Sequence, residues 1–115
     1  MPLQDILHDV KSEGKEKHVP VIEILRGKGE GGADVVRVTV GKETPHPNTV
    51  EHHIEWIELF GVKEGGQAID LGRASFAPTY TSPTTSFQVS LAEFKALYSL
   101  SYCNIHGVWE SYLEV

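Results

Sequence analysis

Val and Ile alternate with polar residues over most of this chain, the period-two pattern of strands. Val19 to Leu25 reads as one strand. Val36, Val38 and Val40 alternate with Val35, Arg37 and Thr39 to give another. The stretch from Arg26 to Gly32 between them, rich in Gly, Lys and Glu, reads as a hairpin connection. Ile54 to Phe60 is a third strand, and Gly65-Gly66 ends the segment after it. Ala68 to Phe76 and Ser86 to Leu91 flank the Pro78 to Thr85 loop, and Leu97 to Cys103 and Val108 to Leu113 finish the chain. Some seven short strands separated by turn signals predict an all-β sandwich or barrel. Two stretches hint at helix. One is residues 3 to 12. The other is Ser90-Leu91-Ala92-Glu93, which has the form of a capping box before Phe94 and Leu97.

No repeat or long linker divides the 115 residues, so one domain spanning 1–115 is expected. Acidic residues outnumber basic ones by 16 to 10, for a net charge of −6. That balance speaks against a nucleic-acid partner and against docking on an anionic membrane. No apolar run approaches the ~18 residues of a spanning helix. Met1-Pro2-Leu3-Gln4-Asp5 lacks the basic and apolar regions of a secretory signal. With one cysteine there is no intramolecular disulfide, and a reducing, cytoplasmic compartment is expected.

That cysteine changes the picture. On its own it would be read as a small buried hydrophobe. Here it stands in Cys103-Asn104-Ile105-His106, where one short loop offers a thiolate and an imidazole. Gly107 allows the tight turn after it. His46 lies between two prolines in Thr44-Pro45-His46-Pro47-Asn48, which hold it in a stiff, extended loop. His18 opens the first strand. In Glu51-His52-His53-Ile54-Glu55-Trp56-Ile57-Glu58-Leu59-Phe60, alternation puts His52, Ile54, Trp56 and Phe60 on a mostly apolar face. Glu51, His53 and Glu55 fall on the other. His52 is therefore expected to point to the core as a ligand and His53 to solvent. His8, with no such setting, is expected to be exposed. Structural zinc takes four ligands in two short-range pairs, which this spacing does not provide. Four imidazoles and a thiolate suit a redox iron with an open sixth position.

These segments carry a family resemblance. Glu16-Lys17-His18-Val19-Pro20-Val21-Ile22, Gly41-Lys42-Glu43, Pro45-His46-Pro47-Asn48-Thr49, Glu51-His52-His53-Ile54-Glu55-Trp56-Ile57 and Cys103-Asn104-Ile105-His106-Gly107-Val108-Trp109-Glu110 run through the whole domain. The chain resembles the one-iron superoxide reductases, or neelaredoxins, whose larger relatives are the desulfoferrodoxins. The four-cysteine module of those larger relatives has no counterpart here. The resemblance implies an immunoglobulin-like, seven-stranded β-barrel or sandwich holding one mononuclear non-haem iron. His18, His46, His52 and His106 would surround it, Cys103 would be axial, and Glu16 would take the sixth position in the ferric state. The implied reaction is one-electron reduction of superoxide to hydrogen peroxide, with two protons consumed. Lys17 would attract the anion and hold a proton-delivering water. Glu16 would displace the product. The resemblance also implies a rubredoxin-like electron donor and a homotetramer.

Three rival readings fit the residues less well. A blue-copper protein needs an axial methionine shortly after its cysteine, and Met1 is the only methionine. A structural zinc site would be oversupplied by five ligands. A metal-free binding module leaves the histidines unexplained. A β-sandwich electron-transfer metalloprotein without reductase activity is the alternative function.

Overall fold

The computed structural model describes residues 1–9 and 18–115. Seven strands form: β1 (Val21–Leu25), β2 (Val35–Thr39), β3 (Ile54–Lys63), β4 (Ala68–Ser75), β5 (Thr84–Gln88), β6 (Phe94–Cys103) and β7 (Gly107–Glu114). Each overlaps an expected strand, although β5 stops short of Val89 to Leu91 and begins inside the expected Pro78 to Thr85 loop, because Thr84 and Thr85 pair with Thr39 and Val38. They make two antiparallel sheets, ordered β1-β2-β5 and β4-β3-β6-β7. The sheets stay separate, so the fold is an immunoglobulin-like sandwich and not a closed barrel.

Inward residues of both sheets form the core. Val36 and Val38 of β2 face Ile57, Leu59 and Leu97 of the larger sheet, and all are fully buried. Their alternation with exposed Arg37 is the period-two pattern of a half-buried strand. At ~1.5–3 kcal/mol for each such side chain, this layer dominates the stabilisation.

Both helix hints resolve differently. Near the N-terminus a single 3-10 turn spans Leu3–Asp5, and residues 10–12 of that stretch lie outside the described residues. Ser90 to Glu93 is a turn closed by Phe94 N–H on the Leu91 carbonyl at 3.0 Å, and Phe94 enters β6. A capping box satisfies donors only if a helix follows. Here the next residues alternate, and β3 pairs with them from Phe94 onward.

The alternation across residues 51–60 also needs correction. Ile54 pairs with Cys103 and Trp56 with Tyr102, so Glu55 is an extra residue, a β-bulge. The bulge reverses the phase of the strand. Ile57 and Leu59 face the core, while Trp56 turns to the opposite face, where the Arg73 guanidinium lies 4.4 Å from its ring centroid. Phe60 shares the phase of Trp56 and is only partly buried.

Antiparallel pairing sets the position of the site. The starts of β1, β3 and β7 and the ends of β2 and β6 lie at one end of the sandwich, because Val21 pairs with Thr39, Ile54 with Cys103, and Cys103 with Gly107. Every segment singled out for its histidines or cysteine leaves a strand there.

Candidate metal centre

His18 comes just before β1. Its backbone carbonyl accepts a 2.9 Å hydrogen bond from the Ser101 hydroxyl, on the core side of β6. Two residues on, the Pro20 carbonyl accepts one from Ser111 of β7. Two buried or half-buried serines thus pin the His18 segment across the ends of β6 and β7.

His46 lies in the β2–β3 crossover. Its ring Nδ1–H donates to the Pro47 carbonyl at 2.7 Å, which fixes the tautomer and leaves Nε2 as the electron-pair donor. Gly41, at φ +80°, lets this crossover fold back on itself. A Cβ there would stand 2.5 Å from the His46 backbone nitrogen.

His52 and His53 are adjacent but differ in role. His52 is half-buried and aims into the centre. His53 is buried at 7% exposure, contrary to the expectation that it faces solvent. Its Nδ1–H donates to the Thr49 carbonyl at 2.9 Å. Its backbone N–H donates to Asn104 Oδ1 at 2.9 Å, and Asn104 in turn donates its side-chain amide to the Glu51 carbonyl. The crossover carrying His46 and His52 is therefore laced to the turn carrying Cys103 and His106.

That turn needs Gly107, at φ +87°, as anticipated. Cys103 is fully buried, and its sulfur accepts the His106 backbone N–H at 3.4 Å. His106 is an exposed residue, and its Nδ1 lies 3.8 Å from the Cys103 sulfur and 3.2 Å from His18 Nε2.

The side chains converge. Among the described residues, His18, His46, His52 and Cys103 offer ligand atoms all within 4.8 Å of one another. Ring centroids around the perimeter are 4.8 Å apart for His18–His46, 4.8 Å for His46–His52, 5.1 Å for His52–His106 and 4.9 Å for His106–His18. The diagonal His18–His52 is 6.5 Å, about 1.3 times the mean side and close to the ~1.4 of a flat square. Two nitrogens bound at a right angle to one ion, each at ~2.1 Å, would lie ~3.0 Å apart, near the 3.2 Å between His18 and His106. Four imidazoles in a square with a buried sulfur beside them suit a mononuclear, mixed nitrogen–sulfur centre. A four-ligand tetrahedral site would have no use for the fifth donor.

Residues 10–112 match the Desulfoferrodoxin family. The chain belongs to that family. Its relatives include the superoxide reductase of Pyrococcus horikoshii, 51% identical over 104 residues that cover 87% of this chain and 88% of that one. The neelaredoxin of Megalodesulfovibrio gigas is 38% identical over 109 residues, 84% of each chain. Among solved structures, the superoxide reductase (neelaredoxin) of Ignicoccus hospitalis superposes with a TM-score of 0.85 at 35% identity, covering 100% of this chain and 98% of that one.

In this desulfoferrodoxin-family chain, five of the residues singled out from sequence, His18, His46, His52, Cys103 and His106, meet at one end of the sandwich. The other two, Glu16 and Lys17, lie outside the described residues. His8 is exposed as expected, yet its backbone bridges to Trp109, with its N–H on the Val108 carbonyl at 3.0 Å. Sequence reasoning missed the supporting residues Asn104, Ser101 and Trp109 and the buried state of His53. Asn104 stands inside the Cys103–His106 loop, so its place carried a signal. Ser101 and Trp109 look like ordinary strand residues, and only their pairing across β6 and β7 puts them beside His18.

Proposed function

We propose that this protein reduces superoxide to hydrogen peroxide at one iron held by His18, His46, His52, His106 and Cys103. The observation that carries the reading is the square of four imidazoles beside a buried thiol, in a chain of the desulfoferrodoxin family. When bound, iron passing between its ferrous and ferric states supplies the single electron.

The protein's residues do the rest. Neutral imidazoles leave the charge of the centre largely uncompensated, which favours an anionic substrate. The Cys103 thiolate donates electron density, and the His106 amide at 3.4 Å moderates it. The exposure of His106 puts this side of the centre near the surface, within reach of a small diffusing anion. With a chain charge of −6, attraction of that anion must be local. Lys17, next to His18 in sequence, supplies it and holds a water that gives a proton to the product. Glu16, two residues before His18 in sequence, would supply a carboxylate as a further ligand to the oxidised centre. A small rubredoxin-like protein returns the electron, the assembly is a homotetramer, and the compartment is cytoplasmic. None of the described helices is long and apolar enough to cross a membrane.

The test is stoichiometric. The iron-loaded, reduced protein is mixed with superoxide, and peroxide, dioxygen and visible absorption are followed. A reductase forms one peroxide for each superoxide consumed, releases no dioxygen, and develops the red-region absorption of a ferric thiolate. Dioxygen release, or an unchanged spectrum, would overturn the reading.

A further inference from the structure

Trp109 lies opposite Ser101 in the β6–β7 ladder and is buried at 5% exposure. Three contacts distinguish it from a space-filling aromatic. Its indole stacks on the His18 ring, with centroids 4.5 Å apart and planes 13° from parallel. Its Nε1–H donates to the His106 backbone carbonyl at 3.2 Å. The His8 ring lies against it at 4.8 Å, tilted by 37°. A buried indole needs an acceptor for its one donor, and the acceptor here belongs to the turn that carries Cys103 and His106. One rigid side chain thus touches two of the four imidazole-bearing residues. They are the two whose ring nitrogens stand 3.2 Å apart at one corner of the square.

We propose that Trp109 is a positioning residue for the metal centre. Its plane sets the tilt of His18, and its N–H sets the carbonyl of His106, so that both rings present their nitrogens at the shared corner. The N-terminal segment completes the arrangement. His8 is held by backbone bonds to Val108 and Glu110 and covers part of the indole. This inference rests on the reading that these residues hold iron.

The iron-loaded wild type and two variants, Trp109→Phe and Trp109→Leu, separate the possibilities. Iron transfer to an excess of chelator is timed, the ferric thiolate band is recorded, and far-UV circular dichroism checks the sandwich. A wild type that holds no chelator-resistant iron would sink the functional reading itself. With iron held, Trp109→Leu loses both the stack and the donor. It should release iron about tenfold faster or more, the usual scale for a lost support of a metal ligand. Trp109→Phe keeps a ring for His18 and should restore most of that retention. Its band should still be displaced, because the turn bearing Cys103 has lost its donor. A residue that only fills space would leave the band unmoved. A Phe variant with wild-type band and release within about twofold overturns the proposal, and decides it even if the Leu variant does not fold.

Discussion

Replacing His52 and His53 one at a time by alanine separates a ligand from an anchor. His52→Ala should strip the iron and its colour and leave the sandwich folded. His53→Ala should leave the four imidazoles and the thiol in place and act on stability. The magnitude follows from the contacts. The lost ring hydrogen bond to Thr49 is worth about 1 kcal/mol. It is not more, because the Thr49 carbonyl keeps the His52 amide at 3.3 Å. Deleting a buried side chain of this size leaves a cavity that costs ~2–5 kcal/mol when the group is apolar, and a polar imidazole belongs at or below the bottom of that range. The sum is about 2–3 kcal/mol, or a fall of roughly 10 °C in melting temperature for a chain of this length. Iron content by metal analysis and thermal melts by circular dichroism give both readings. A His53→Ala protein that melts like wild type would refute the buried-anchor reasoning. Loss of iron in His53→Ala with retention in His52→Ala would reverse the ligand assignment.

Cys103→Ser should remove the thiolate colour and nearly all turnover, since a hydroxyl is a poor donor to ferrous iron; a coloured, active variant would displace Cys103 from the ligand set. Gly41→Ala forces a side chain into a φ of +80° and onto the His46 backbone, so it should cost about 2–4 kcal/mol and loosen iron, and a variant with wild-type melting and iron content would contradict the close approach. Lys17→Ala should slow superoxide capture and lessen its salt dependence, whereas Glu16→Ala should leave capture alone and shift the ferric spectrum; stopped-flow at two ionic strengths decides, and an unchanged rate and salt slope for Lys17→Ala removes its steering role. The neighbouring Asp70 carboxyl, first as a hydrogen-bonding partner for the protonated acid, then desolvation and the Asp70 charge raise the Glu58 pKa against the lowering effect of Arg73. A raised carboxyl pKa means that the folded state binds the extra proton, so stability falls as pH climbs above the ordinary glutamate range. Glu58→Gln should therefore gain up to about 1 kcal/mol at neutral pH, with the gain vanishing in acid, as chemical denaturation at both pH values would show; the partly exposed site keeps the effect small.

The sequence by itself determined the strands and the candidate ligand set, because both are written locally. A strand half-buried in a sandwich must alternate, and Val36, Val38 and Val40 do so without help from elsewhere. The prolines around His46 and the glycine after His106 restrict the backbone wherever they stand. Those features, with the resemblance they carry, pointed to His18, His46, His52, Cys103 and His106 before any distance was known. Tertiary structure decided what depends on partners distant in the chain. The bulge at Glu55 arises from pairing with β6, and it reverses the phase that would have sent Trp56 inward. His52 joins the cluster although the alternation that singled it out does not hold, since His53 is the more buried of the two. The stretch from Ser90 to Leu97 had the local marks of a helix start, but pairing from Phe94 onward with β3 offers the backbone a sheet instead. The indole of Trp109 reaches two corners of the site only because β6 and β7 lie side by side. Local chemistry names the candidate ligands, while orientation belongs to contacts that exist only once the sheets have closed on one another.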